Sequence, residues 1–152
     1  MRNIVMKCLT NGVYIVTTAD NGQINGVTRS WLTQLSYEPT LIGVAIAPLR
    51  KCHGMIVRSG QFAVNVLGQD QVDLAARFGF TTGRQVDKFQ GIDIEHTAAG
   101  LPLLPQALAY IDCNVVETID IGDHTLFVGQ VTEAEILDQE AAPLVFNPAD
   151  YF

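Results

Sequence analysis

From Thr28 to Thr33 the chain reads Thr-Arg-Ser-Trp-Leu-Thr. Three hydroxyls and a guanidinium within six residues are donors of the kind that hold a phosphate or another small anion. Trp31 and Leu32 add flat and apolar surface beside them. The wider stretch, Asn25 to Pro39, is the most polar part of the chain and lies between two of its most hydrophobic segments, in a sequence whose mean hydropathy is +0.22. An ordinary surface loop would be shorter and would not need the only Trp. The chemistry this stretch suggests is the wrapping of a flat aromatic ligand that carries a phosphate. Trp31 taken alone suits a subunit interface equally well.

Charge supports an anion in the same region. The chain has 9 Lys and Arg against 16 Asp and Glu, a net charge of -7. No base follows Lys88, and eleven acids lie between Asp93 and the C-terminal end. Between Gln23 and Gln69, however, four bases (Arg29, Arg50, Lys51 and Arg58) face one acid, Glu38, a local net charge of +3. An acidic protein with one basic segment is built to hold a small anion there, and it is a poor partner for nucleic acid or an anionic membrane.

Other candidates are single residues. His124 ends a Gly122-Asp123-His124 turn, where it either bonds Asp123 or offers a polar group to a bound ligand. Cys52 borders the Arg50–Lys51 pair and reads as buried filler, as does Cys113. Asn65, polar within a strand, reads as a bridge between backbones. Lys88 and Phe89 either close over a ligand or anchor their own loop. His53, His96 and His124 are scattered and lack ligand-type neighbours, so no metal site is expected. No G-x-G-x-x-G, P-loop, G-x-S-x-G or H-E-x-x-H motif is present.

The elements that must position these residues are mostly strands. Gly12–Thr18 is β-branched and aromatic, and Asp20-Asn21-Gly22 predicts a tight turn into a second strand, Ile24 to Thr28. Thr40–Ala47 and Gln61–Leu67 read as central strands. Between them Lys51–Ser59 reads as two helical turns stopped by Gly60. Asp70–Phe78 predicts a short amphipathic helix, residues 81–91 a long polar loop, and Ile92–Glu95 a short strand. Ala107–Ile119 and Thr125–Leu137 are long β runs joined at the Gly122 turn, and residues 143–152 form a last extended piece. Short strands without strand–helix alternation predict a mainly β, antiparallel barrel with a few covering helices.

At 152 residues the chain fits one domain with a real core. Its 48% hydrophobic and 16% charged residues leave few charges to cover the surface, which points to an oligomer. No apolar run reaches the length of a membrane span, and Arg2 and Lys7 are not followed by a signal-type core. Three cysteines without C-x-x-C spacing argue against a disulfide framework and for a reducing cytoplasm.

Several of these stretches together resemble the flavin reductase-like family: GVYIVTT, DNG, NGVTRSWLTQLSYEPTLIGVAI, SGQFAVNVL, KFQGI, GLPLL and GDHTLFVGQV, then PLVF, in order over nearly the whole chain. The resemblance implies an FMN-binding split β-barrel of Greek-key type, usually a homodimer, that reduces flavin with NADH or NADPH. It also implies an oxygenase or electron-transfer partner, with a non-turnover FMN electron carrier as the alternative role. FMN is either a bound group or a diffusing substrate. Carried onto this chain, Thr28, Arg29, Ser30, Trp31, Leu32 and Thr33 would contact FMN, and Ala47, Arg50, Lys51 and Cys52 would approach its phosphate and ribityl chain. His124 would stand at the nicotinamide face. Members of the family commonly have small or hydroxyl residues at positions 29, 50 and 52. Here Arg50 and Lys51 would replace the lost hydroxyls with charge-assisted bonds.

Overall fold

The computed structural model describes residues 2–81 and 86–151. Seven antiparallel strands form one sheet in the order β2-β1-β5-β8-β9-β4-β3. Strand β1 is Tyr14–Asp20, β2 Gln23–Arg29, β3 Leu32–Ser36, β4 Leu41–Ile46, β5 Gln61–Val66, β8 Ala109–Ile121 and β9 His124–Ile136. A separate small ribbon pairs β6, Glu95–His96, with β7, Pro102–Leu103. The main sheet curls until β2 approaches β4, giving the split-barrel form. Helix α1 is Arg2–Met6; α2, Lys51–Ser59, covers β1 and β2; α3, Val72–Phe80, packs chiefly on β2.

Local signals account for the joints. Asn21 and Gly22 take positive φ (54° and 79°), the left-handed backbone that a two-residue hairpin turn demands. Gly60, at φ 71°, ends α2 by donating its N–H to Ile56. Alternation then fills the interior: Val16, Val27, Ile42, Val44, Ile46, Phe62, Val64 and Phe127 meet Ile56 of α2 in one core. A second core under α3 joins Val13, Ile15, Leu67, Phe78 and Leu104 to Leu144 of the C-terminal segment. Between β1 and β5, Asn65 donates to Ile15 O (3.1 Å) and accepts from Leu104 N (2.9 Å), the backbone bridge expected of it.

The structure corrects several boundaries. The Thr28–Thr33 stretch is mostly strand: β2 runs through Arg29 and β3 begins at Leu32, so only Ser30 and Trp31 connect them. Residues 92–94 are not a strand; Ile92 and Ile94 pack on the second core from irregular backbone, and pairing starts at Glu95. Helix α3 lies two residues later than expected. Part of the expected polar loop, residues 82–85, lies outside the described residues. The last segment is extended only at isolated bridges, Gly68 with Pro143 and Gly12 with Val145, before a short 3-10 turn at Pro148–Asp150.

Candidate functional site

Two adjoining cavities open where β2 hands over to β3. The first, about 160 Å³, is bounded by Thr28, Arg29, Ser30 and Arg50 with Gly79, Phe80, Phe146 and Tyr151. The second, about 260 Å³, is bounded by Arg29, Ser30, Trp31, His124 and Phe146. Arg29, Ser30 and Phe146 belong to both. The structure thus gathers six of the residues expected from sequence: Thr28, Arg29, Ser30, Trp31, Arg50 and His124.

The fold fixes each of them. Arg29 closes the register of β2 opposite Tyr14. Thr28 donates its hydroxyl to Ala75 O at 2.6 Å, tying β2 to α3. Trp31 O accepts from Ala45 N at 3.0 Å, which seats the β2–β3 connection on β4. Arg50 is the residue before α2 and is held by its N–H on Ala47 O. His124 opens β9, with Nδ1 2.7 Å from Asp123 Oδ1 and its ring 4.9 Å from that of Trp31.

The electrostatics are those of an anion site. Among the described residues neither Arg29 nor Arg50 meets a carboxylate. Burial first, and the like charge of Arg50 second, lower Arg29 to about 10. Its Nε and the Tyr151 hydroxyl are buried without a hydrogen-bond partner among the described residues. A half-buried guanidinium with no counter-charge among the described residues is costly, and an anion with acceptor oxygens relieves that cost. Cys52 adds no counter-charge, because burial pushes its thiol up to about 12 despite the surrounding cations.

The remaining candidates border neither cavity. Leu32 pairs with Val44, and Thr33 is exposed on β3. Ala47, Lys51 and Cys52 flank Arg50 in sequence, with Cys52 in the core. Lys88 is buried and donates to Gly26 O (2.7 Å) and Phe78 O (3.2 Å), so it clamps the end of α3 to β2, and burial lowers it to about 8. Phe89 packs edge-on against Phe78 at 5.1 Å in the second core. Among the described residues no cluster suits a metal ion.

Sequence reasoning assigned no role to Phe80, Phe146 or Tyr151, which form the aromatic wall. Phe146 and Tyr151 stack at 5.5 Å and 11°, and Phe80 stands 6.0 Å from Tyr151. Phe146 N donates to Asn11 O, which brings the C-terminal segment over the site. The pairing of an aromatic residue with another five positions later, next to the PLVF match, was the available signal. Flat aromatic walls, with two arginines and buried polar atoms that have no partner among the described residues, fit a phosphate-bearing aromatic cofactor such as FMN.

Residues 6–152 match the sequence model of the family described as "Flavin reductase like domain". A ferric-chelate reductase (NAD(P)H) of Archaeoglobus fulgidus is 36% identical, over 94% of this chain and 84% of its own length. HsaB of Rhodococcus jostii, the reductase subunit of a flavin-dependent monooxygenase, is 38% identical over 97% of this chain and 73% of its own. The chain spans 59% of the length of a further curated relative, at 35% identity. Among solved structures, an FMN-binding protein from Thermus thermophilus with bound 1-cyclohex-2-enone superimposes with a TM-score of 0.81 at 31% identity, covering 89% of this chain and 78% of that one.

Proposed function

This chain belongs to the flavin reductase-like family, and from that premise we propose that it binds FMN in the paired cavities and reduces flavin with NADH or NADPH. One observation supports the placement: two arginines without a carboxylate partner among the described residues border an aromatic-walled cavity that continues, past Phe146, to His124. When bound, the flavin supplies the hydride-accepting chemistry. The chain does the rest. Arg50, at the start of α2, attracts the phosphate with its neighbour Lys51. Trp31 and Phe146 offer flat surface to the ring. His124, steadied by Asp123, offers a polar group on the nicotinamide side.

The test is direct. Purified protein should bind FMN at micromolar concentration, show the flavin absorbance bands, and oxidise NADH or NADPH when FMN is added. No FMN binding at these concentrations removes the reading. Bound FMN reduced by dithionite but not by NADH or NADPH would make the chain an electron carrier served by another protein.

Relatives that are monooxygenase reductase subunits support an oxygenase as the consumer of the reduced flavin. No described helix is long and apolar enough to cross a membrane, and the free Cys8, Cys52 and Cys113 suit a reducing cytoplasm.

The functional unit is a homodimer. Trp31 (57% exposed), Leu35 (47%), Ile119 (37%) and Ile121 (54%) lie exposed on the outer side of the β3-β4-β9-β8 half of the sheet. The pairing of Ile121 with His124 and of Ile119 with Leu126 makes this face continuous with the site. An apolar face of this kind needs a cover, and a two-fold dimer is the commonest one. Sedimentation at low micromolar concentration should give about twice the 16.6 kDa chain mass. A clean monomer would overturn the dimer and leave this face without a cover.

A further inference from the structure

We propose that Thr125, hydrogen-bonded between His53 and Asp120, is a positioning residue for flavin reduction: the bridge it completes sets His124 against the start of α2, which carries Arg50 and Lys51. The proposal rests on the flavin reading above and adds to it how the two sides of the site are kept in register.

His53 Nε2 lies 2.8 Å from Thr125 Oγ1, and that hydroxyl donates to Asp120 Oδ1 at 3.2 Å. None of the three borders the paired cavities, but the bridge joins the elements that do. At one end His53 belongs to the first turn of α2, where its N–H donates to Arg50 O at 3.0 Å. At the other end Thr125 directly follows His124. Strand β9 pairs with β4 from Gln130 as far as Thr125, which stands opposite Ile46. His124 lies one residue past that last pair, where its strand partner is Ile121 of β8. Thr125 is therefore the last point at which β9 is fastened to β4, and its side chain fastens the same point to α2.

The chemistry gives the bridge a direction. A carboxylate only accepts, so the Thr125 proton goes to Asp120 and a hydroxyl lone pair is left for His53. His53 then carries its proton on Nε2, the opposite tautomer from His124, whose Nδ1 meets Asp123. Burial lowers His53 below its ordinary value against the pull of Asp120, so the ring is neutral at neutral pH. Phe127 meets that ring edge-on at 5.1 Å, which limits how it turns. Thr125 is buried, so a methyl in place of its hydroxyl leaves the His53 N–H facing an apolar group and unties α2 from β9. A side chain that only filled space there would need no hydroxyl.

A double-mutant cycle between Thr125→Val and His124→Ala tests this. Reduction of bound FMN by saturating NADH or NADPH is followed by anaerobic stopped-flow, and FMN affinity by calorimetry. Thr125→Val should slow reduction about tenfold, part of the loss that ångström-scale misplacement can cause, and change FMN affinity by less than about threefold. In the His124→Ala background it should slow reduction no further, because both substitutions act through one imidazole; independent effects would multiply. Thr125→Ser, which keeps the hydroxyl, should restore most of the rate. Nitrogen NMR shifts of His53, assigned by comparison with His53→Phe, should show the proton on Nε2. A wild-type rate in Thr125→Val overturns the proposal, and so does the same slowing with His124 already gone. A Thr125→Ser variant as slow as Thr125→Val, or a proton on His53 Nδ1 alone, overturns it too. Lost FMN affinity with an unchanged rate for the bound fraction also overturns it and leaves the bridge to the phosphate side. If Thr125→Val does not fold, His53→Phe decides by the same cycle, since it removes the donor and keeps a ring against Phe127. Wild-type protein that binds no FMN, or whose bound FMN neither NADH nor NADPH reduces, sinks the flavin reading itself, a result distinct from every variant outcome.

Discussion

Replacing His124 with alanine is expected to slow reduction of bound flavin by NADH or NADPH about 10²-fold, the cost of losing ångström-level positioning of a reacting ring, and to leave FMN affinity nearly unchanged. His124 stands on the second cavity, which Arg50 does not border. Its Nδ1 lies 2.7 Å from Asp123 Oδ1, and that hydrogen bond, with the attraction of the ring, holds the Asp123 carboxyl below its ordinary range. A carboxylate acceptor fixes the proton on Nδ1, so Nε2 is the ring atom that meets a ligand. The Trp31 ring, 4.9 Å away and tilted by 49°, limits how the imidazole turns. Removing the imidazole frees that corner of the cavity, and the nicotinamide loses its polar contact and its wall together. Anaerobic stopped-flow at varied NADH separates weaker binding from a slower hydride step, with reduction by dithionite as the control. Reduction at the wild-type rate would leave His124 as a turn residue only. Loss of FMN would place it on the flavin and dissolve the division between phosphate side and nicotinamide side.

Much of this architecture was legible because its signals are local. The Asn21-Gly22 turn, the Gly60 stop and the turn before His124 are written in residues that tolerate or favour left-handed backbone, and φ is 54°, 79°, 71° and 57° at Asn21, Gly22, Gly60 and Gly122. The buried strands β1, β4 and β5 announce themselves by β-branched runs. Strand β3 did not. Thr33 and Gln34 are exposed at the sheet edge, so their polarity looks like a loop although their backbones pair with Gly43 and Ile42. Ile92 and Ile94 misled in the opposite sense: they alternate because both reach the second core, with no strand partner. Lys88 was the hardest to read, since a lysine suggests solvent or ligand and here donates to two interior carbonyls. The site shows the same division. Its cations and hydroxyls cluster in sequence around Arg29 and Arg50, but its aromatic wall arrives from the C-terminal segment by a long-range backbone contact, Phe146 to Asn11, that leaves no periodic trace.

The largest stability effect is expected at Phe127, on the core face of β9. Its side chain is fully buried and packs with Val44, Ile46, Phe62 and Cys113, and His53 of α2 meets it edge-on at 5.1 Å. Phe127→Ala should cost about 3–5 kcal/mol, the usual range for a buried Phe reduced to Ala. Against a domain stability of about 5–15 kcal/mol, that is a large share. The surroundings cannot collapse to fill the space. Near it β9 has Gly129, where even a Cβ would lie 2.6 Å from the Phe62 ring and 2.7 Å from Cys113 Cβ, so Phe62 is already wedged against the strand. Urea unfolding of the FMN-free protein should show a lower midpoint at an unchanged slope, and Phe127→Leu should lose much less. A loss under about 1 kcal/mol would mean that the barrel interior yields to fill a cavity, contrary to the packing around Gly129. The variant also bears on the site, because β9 carries Phe127 inward and His124 at its start. If reduction by NADH slows in protein still folded, the position of His124 depends on the packing beneath it; if not, the turn and Asp123 hold the imidazole without help from the core.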